Sequence, residues 1–174
     1  MSKKTRRLIF AAIVGALYAA LTMLLAPISY GPVQFRLSEA LCILPYFLPF
    51  TAWGLFFGCM IANFVSSVGF LDLVFGSLAT LLACLCVARC GKHAQGLRSE
   101  LAACFMPVIW NGLVIGCVLC QALVGAPWEH LTELLLYALP VALGELVVMF
   151  AVGLPLLRWL PKRKFFAGQL TKLQ

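Results

Sequence analysis

Four charged residues lie inside or beside the most hydrophobic segments of this sequence: Arg36, Glu39, Asp72 and Glu145. A charged side chain at the centre of a membrane costs at least about 2.5 kcal/mol on insertion scales, so each such residue needs a specific role. Glu145 is the clearest case, because it lies within the apolar run 141–149 with no basic residue nearby in the sequence and no helix end beside it. This placement indicates a functional or bundle-facing carboxylate.

The other three charges also have structural explanations. Arg36 and Glu39 are three residues apart at the start of a predicted helix, so they lie on one face and can pair. Such a pair either anchors the helix at the membrane interface or serves a ligand. Asp72 lies at the predicted N-terminus of another helix, where a carboxylate caps free N–H groups and is favoured by the helix dipole. From the residues alone, both explanations stay open for each charge.

Uncharged polar residues in the hydrophobic segments offer further donors and acceptors from several helices: Asn63, Ser66, Ser67, Ser77, Thr80, Asn111 and Gln121. Each either joins a binding site or holds two helices together. Trp110 precedes Asn111, and a ring beside a hydrogen-bonding group suits a planar heterocyclic ligand. The alternative is a tryptophan that fills the bundle or anchors an interface.

Motifs for catalysis and metal binding are missing from the sequence. It contains no G-x-x-x-x-G-K-[ST] phosphate loop, no H-E-x-x-H and no G-x-S-x-G. Most of the eight cysteines fall inside apolar runs, where they behave as small hydrophobic residues. Cys117 and Cys120 form a C-x-x-C, but no second pair at zinc-site spacing accompanies them. We therefore predict that the chain is not an enzyme and holds no metal or other cofactor.

The elements that must position these residues are predicted to be membrane-spanning helices. Hydrophobic residues make up 63% of the 174, with a mean hydropathy of +1.02, whereas soluble domains are about 45–50% apolar. About 20 apolar residues cross a bilayer. We predict an all-α, polytopic membrane protein with one integral membrane domain, 1–174, built as a six-transmembrane-helix bundle. The predicted helices are residues 8–26, 37–50, 53–68, 71–88, 101–124 and 131–160. Ser29, Tyr30, Gly31 and Pro32 predict a turn-rich loop after the first helix. Pro140 and Pro155 predict kinks in the last helix, which membrane helices tolerate when neighbours satisfy the freed carbonyls.

The distribution of basic residues predicts the orientation of these helices. With six spans, twelve of the thirteen Lys and Arg residues lie on one side, at the two termini and in the loop between the fourth and fifth helices. An excess of Lys and Arg in short loops marks the cytoplasmic side. We therefore predict cytoplasmic N- and C-termini in the cell membrane. Arg36, Glu39 and Asp72 would then form an acidic pocket near the outer leaflet, suited to a cationic or donor-rich ligand.

The first helix carries small residues at four-residue spacing: Ala12, Ala16 and Ala20, with Gly15 and Ala19 offset by one position. Small residues allow another helix to approach closely. Two explanations fit this pattern, packing within the bundle and docking of a partner protein.

Three segments together resemble the QueT family: FRLSEALCILPYF at 35–47, GLFFGCMIAN at 54–63 and DLVFGSLAT at 72–80. The resemblance extends over essentially the whole chain. It implies the substrate-binding S component of an energy-coupling factor (ECF) transporter for queuosine precursors. Such a subunit captures its substrate outside and docks on a transmembrane coupling protein and two cytoplasmic ATPases, which use ATP. The small-residue face of the first helix is similar to the alanine-rich docking face of S components.

The resemblance also implies a 7-deazaguanine ligand such as preQ1 or queuine. These molecules carry a basic amine and a guanine-like edge rich in N–H donors, which carboxylates accept well. We expect the three carboxylates to receive the amine and that edge, Asn63 and Asn111 to complete the hydrogen bonds and Trp110 to stack. Arg36 would hold Glu39 ionised and oriented.

Other functions remain open from the sequence. One is an S component for another vitamin-like heterocycle. A second is a stand-alone secondary transporter that uses Glu145 as a proton site, although no internal duplication is visible. A third is an intramembrane enzyme that uses the carboxylates for acid–base chemistry, although no metal-ligand pair accompanies them.

Overall fold

The computed structural model describes residues 1–30, 34–66, 68–93 and 96–173. Within these ranges the chain forms helices and no strands, which confirms the predicted all-α bundle. The helices, in chain order, are α1 Lys3–Leu24, α2 Ala26–Ser29, α3 Leu37–Tyr46, α4 Thr51–Asn63, α5 Asp72–His93, α6 Leu97–Leu123, α7 Leu131–Lys162 and α8 Lys164–Leu173.

Four of these helices, α1, α5, α6 and α7, are long and apolar enough to cross a membrane. The helices α3 and α4 are apolar but have only 10 and 13 residues, whereas a straight span needs about 20. The prediction of six membrane spans therefore stays a prediction. Large apolar side chains such as Phe57 and Leu136 are exposed on the outside of the bundle, as expected for a surface that faces lipid rather than water.

Helix boundaries differ from the predicted ones where local chemistry decides them. The helix α1 begins at Lys3, five residues early, because the Ser2 hydroxyl accepts a hydrogen bond from the Thr5 N–H and caps the first turn. Pro27 does not simply end the first helix but lies at the start of the short helix α2. The predicted turn at Gly31 and Pro32 lies outside the described residues.

The helix α3 is a 3-10 helix over its whole length. Runs of this tighter helix longer than three or four residues are uncommon, and residues three apart lie one above the other. Pro45 lies inside it and cannot donate a backbone hydrogen bond. Because the 3-10 helix repeats every three residues, Arg36, Glu39 and Cys42 lie along a single face of α3.

The helix α7 contains a π-helical turn at Met149–Gly153, directly before Pro155. A proline in a helix interior frees a carbonyl one turn earlier and crowds it. The wider turn relieves this conflict without ending the helix. The predicted irregularity at Pro155 is therefore a π turn.

Two close helix contacts fix the bundle, and both depend on glycine. Between α1 and α4, a Cβ atom at Gly54 would lie 2.0 Å from the Ala11 carbonyl oxygen, and one at Gly58 would lie 2.3 Å from the Gly15 carbonyl oxygen. Between α6 and α7, a Cβ atom at Gly116 would lie 2.5 Å from the Ala138 Cβ. Backbones can approach this closely only where the side chain is absent.

The two chain ends meet at one end of the bundle. The amphipathic helix α8 lies across it, with Phe166 buried against Phe47 at a centroid distance of 5.7 Å. The Arg7 Nε donates to the Leu173 carbonyl oxygen at 2.7 Å. The structure therefore places both termini on the same side of the bundle.

Candidate binding site

Six of the seven predicted ligand-binding residues are buried together inside the bundle and form what we call the polar cluster: Arg36, Glu39, Asn63, Asp72, Asn111 and Glu145. None of the six is more than 2% exposed. They come from α4, α5, α6, α7 and the segment that begins α3. Burial of this many charged and amide groups is costly unless partners satisfy them.

Glu39 is held by side chains from three helices. Its Oε1 accepts hydrogen bonds from the Tyr18 hydroxyl and, at 3.3 Å, from the Thr80 hydroxyl. Its Oε2 accepts one from the Cys42 thiol at 3.0 Å. Both oxygens therefore have partners, and the carboxylate is fixed in place.

Asp72 pairs with Arg36, which differs from the predicted pairing of Arg36 with Glu39. The Arg36 Nη2 lies 3.2 Å from the Asp72 Oδ2, and both side chains are 2% exposed. The same oxygen accepts from the Ser66 hydroxyl at 2.6 Å. Asp72 does not make the predicted helix cap: Arg36 and Ser66 both contact its Oδ2, and its Oδ1 accepts no hydrogen bond from the described residues.

Asn63 joins the end of α4 to the start of α5. Its amide Nδ2 donates to the Asp72 carbonyl oxygen at 2.9 Å. Gly76 gives this contact room, since a Cβ atom there would lie 2.3 Å from the Asp72 Oδ1 and 3.0 Å from the Asn63 Nδ2. The absence of a side chain at Gly76 therefore lets the carboxylate and the amide lie side by side.

Glu145 accepts a hydrogen bond from the Asn111 Nδ2 at 3.0 Å. The close approach of α6 and α7 at Gly112 and Gly116 brings the two residues together. Glu145 is 14 residues into α7, or about 21 Å along the helix axis. It interacts electrostatically with both Glu39 and Arg36, so it belongs to the same cluster.

Four polar atoms of the cluster are buried and find no hydrogen-bond partner among the described residues: Arg36 Nε, Asn63 Oδ1, Asp72 Oδ1 and Glu145 Oε2. Each such atom costs about 1–3 kcal/mol in a folded protein, more when charged. Three of them accept hydrogen bonds and one donates. A ligand with several N–H donors and one acceptor would satisfy them together.

Trp110, the seventh predicted ligand residue, is only half-buried. Because successive residues of an α-helix are about 100° apart around its axis, Trp110 lies on a different side of α6 from Asn111. Gln121 is exposed and lies outside the polar cluster, and Ser67 lies outside the described residues. The predicted stacking of Trp110 on a ligand stays a prediction.

The small residues of α1 divide between two faces. Gly15 and Ala19 are buried, and Gly15 contacts α4 at Gly54 and Gly58. Ala12, Ala16 and Ala20 are exposed on the outside of the bundle. The packing explanation therefore holds for the offset pair, and the three alanines form an open face that we call the alanine face.

Sequence reasoning missed Tyr18 and Tyr30. Tyr18 is fully buried and donates to Glu39, and the Tyr30 hydroxyl donates to the Ala62 carbonyl oxygen at 2.6 Å. The Tyr30 ring lies 5.2 Å from the Arg36 guanidinium carbon and covers that side of the cluster. A tyrosine in the middle of a hydrophobic helix was the available signal for Tyr18, because its hydroxyl needs a partner there.

Within the described ranges, no group of three or more His, Cys, Asp or Glu residues is arranged to hold a metal ion. The free polar atoms of the cluster instead suit an organic molecule. An apolar bundle of long helices around a buried polar cluster defines the class as a multi-pass membrane protein with a candidate site for a small polar ligand.

Comparison with known proteins identifies the family. A family model described as QueT transporter matches residues 8–162. The queuosine precursor transporter QueT of Lactococcus lactis subsp. cremoris (strain MG1363) is 44% identical over 81 residues, which are 45% of this chain and 47% of that protein. No solved structure matches the chain significantly. The chain belongs to the QueT transporter family, as its resemblance at three segments predicted.

Proposed function

We propose that the polar cluster binds a queuosine precursor, a 7-deazaguanine such as preQ1 or queuine, and that the chain is the S component of an ECF-type importer. The relative from Lactococcus lactis is named a queuosine precursor transporter, and the aligned segment spans about half of that protein. Family membership supports transport of a small molecule. The choice of ligand depends on how well its chemistry fits the cluster.

The observation that carries the proposal is the set of four unpartnered polar atoms. A 7-deazaguanine has N–H donors on its guanine-like edge and a ring carbonyl. The donors suit the free oxygens of Asp72, Asn63 and Glu145, and the carbonyl suits the Arg36 Nε. A carboxylate accepts such N–H groups strongly.

The charges of the cluster favour a cationic ligand group. Arg36 neutralises Asp72 directly, whereas neither Glu39 nor Glu145 has a cationic partner within the described ranges. The basic amine of preQ1 or queuine supplies the missing positive charge. Because both Glu39 oxygens are occupied, Glu145 is the better acceptor for the ligand, and Glu39 contributes a fixed negative charge.

Ligand entry requires part of the bundle to move, because the cluster residues are almost fully buried. Tyr30 covers Arg36 and is tied to α4 by a single side-chain hydrogen bond. We propose that displacement of Tyr30 and the adjoining start of α3 opens the cluster toward the outside. The ligand then takes over the interactions of the free polar atoms.

Energy for transport would come from partners. The sequence lacks a phosphate loop, so we propose that a transmembrane coupling protein and two cytoplasmic ATPases supply ATP hydrolysis. The alanine face is the proposed docking surface, with Gly15 and Ala19 holding α1 in place behind it. We place the chain in the cell membrane with both termini cytoplasmic, a position that the shared location of the termini supports.

Uptake of labelled preQ1 by cells tests this role. Cells that express the chain together with the coupling protein and both ATPases should accumulate label, and a variant ATPase without its phosphate-loop lysine should abolish uptake. Uptake by the chain alone, driven by a proton gradient, would instead support a stand-alone transporter that uses the buried Glu145. Binding of a different heterocycle with no response to 7-deazaguanines would reject the proposed ligand.

A further inference from the structure

A cavity lies at the opposite end of the bundle from Tyr30, where the two chain termini meet. Its volume is about 1050 Å³, and α1, α3, α5, α6, α7 and α8 contribute to its wall. This volume is at the upper end of the range for ligand sites, about 300–1,000 Å³. It shares no residue with the polar cluster.

Positive charge predominates around this cavity. Arg7, Lys92, Arg158 and Lys162 line it, whereas Glu100 is its one acidic lining residue within the described ranges. The Arg158 Nε contacts a Glu100 carboxylate oxygen at 2.7 Å, so that pair is largely neutral. Lys92 and Lys162 are exposed and make no ion pair within the part of the chain that the structure describes.

The rest of the cavity wall is apolar. Leu48, Pro49, Phe50, Leu157 and Leu173 line it beside the basic groups. The amphipathic helix α8 forms one side, with Phe166 and Leu173 buried and Lys164 and Lys172 exposed. A helix of this kind lies in the plane of a membrane interface. The cavity therefore combines an anion-attracting rim with an apolar wall suited to hydrocarbon.

We propose that this cavity binds the phosphate-bearing head group of an anionic membrane lipid, with Lys92 and Lys162 contacting the phosphate and the lipid chains lying along the apolar wall. Basic pockets between membrane helices at the cytoplasmic side commonly hold such head groups. A free phosphate would use the same two lysines but would gain nothing from the apolar wall. The inference concerns a site separate from the polar cluster and does not depend on which ligand that cluster binds.

The test uses the full chain purified in detergent and supplied with phosphatidylglycerol or phosphatidylcholine of identical chains. Native mass spectrometry measures how much lipid the protein retains. We expect clear preference for phosphatidylglycerol, and about a fivefold loss of retention for each charge removed in Lys92→Gln/Lys162→Gln. A matched control, Arg89→Gln/Lys164→Gln, removes two exposed charges from the same end but outside the cavity and should keep full retention.

Two further arms make the test decisive. The variant Lys92→Arg/Lys162→Arg keeps the charge and should retain the lipid, which separates loss of charge from misfolding. Glycerol phosphate added at the lipid concentration should not displace the lipid. Equal retention of the two lipids, equal loss in the control variant, or full displacement by glycerol phosphate would each overturn the proposal.

Discussion

At the level of single residues, the three buried carboxylates differ in how completely the protein satisfies them. Tyr18, Thr80 and Cys42 occupy both oxygens of Glu39. Asp72 and Glu145 each keep one oxygen without a partner in the part of the chain that the structure describes. A protein optimised for stability alone would avoid unpaired buried acceptors. We therefore propose that Asp72 and Glu145, rather than Glu39, are the carboxylates that a ligand contacts.

Replacing Glu145 with glutamine should weaken binding of preQ1 by roughly ten- to hundredfold, because a hydrogen bond to a charged group contributes about 1.5–3 kcal/mol. The glutamine keeps the size and the contact with Asn111 but loses the negative charge. Isothermal titration of the purified protein measures the change. Glu133→Gln, a half-exposed carboxylate on the same helix, should bind as the unaltered chain does; an equal loss in both variants would remove Glu145 from the site.

Replacing Tyr18 with phenylalanine should destabilise the fold by about 1.5–3 kcal/mol, since Glu39 then loses a buried hydroxyl partner. Thermal unfolding in detergent, followed by circular dichroism, reports this change. Tyr137→Phe on α7 is the control, because Tyr137 is half-buried and makes no hydrogen bond to the cluster within the described residues. An unchanged unfolding temperature for Tyr18→Phe would show that the hydroxyl does not support Glu39.

The members of the polar cluster were predictable from the sequence, but their pairing was not. A charged residue in an apolar helix is costly wherever its helix packs, so Glu145 stands out without a structure. The partner of Arg36 depends on how the start of α5 packs against α3, which residue spacing does not reveal. Spacing of three along one helix favoured Glu39, whereas packing between helices selected Asp72.

At the level of helices, contact between α1 and α4 depends on glycine. Gly54→Ala should destabilise the protein by about 1–3 kcal/mol, because the new Cβ atom would lie 2.0 Å from a backbone oxygen that cannot move aside easily. Gly168→Ala in α8 is the matched control, since a Cβ atom there meets nothing within 4 Å and alanine is the better helix former. Thermal unfolding of the two variants should move in opposite directions; equal shifts would argue against the close contact.

Hydrophobic runs predicted that the chain is helical and roughly where each helix lies. They did not predict which helices are irregular. The 3-10 helix α3 contains Pro45, and the π turn of α7 lies just before Pro155. The sequence shows the prolines but not which distortion relieves them. The helices α3 and α4 are also shorter than predicted, with 10 and 13 residues.

At the level of the whole molecule, the exposed alanine face has no role in the bundle itself. Ala16→Leu should leave preQ1 binding by the purified chain unchanged and reduce uptake in cells that also express the coupling protein and ATPases, because the larger side chain holds a partner helix away. The control is Ala151→Leu, an exposed alanine on α7. Normal uptake by Ala16→Leu would mean that partners dock elsewhere.

The two ends of the bundle differ in chemistry, with a covered polar cluster toward Tyr30 and a basic cavity beside the termini. Basic residues predicted this asymmetry, because nearly all of them fall at one end of the predicted topology. The cavity itself was not predictable, since it depends on how α8 folds back across the ends of the other helices. Contact between Arg7 and Leu173 joins segments at opposite ends of the sequence.

Equilibrium titration of the purified full chain with preQ1, with adenine as the comparison ligand, tests most directly whether the polar cluster is a 7-deazaguanine site. We expect saturable binding of one preQ1 per chain and weak or no binding of adenine, whose edge lacks the carbonyl that suits Arg36 and whose ring carries no basic aminomethyl group. Equal affinity for the two heterocycles, or binding of preQ1 that persists unchanged in Glu145→Gln, would show that the cluster is not the site.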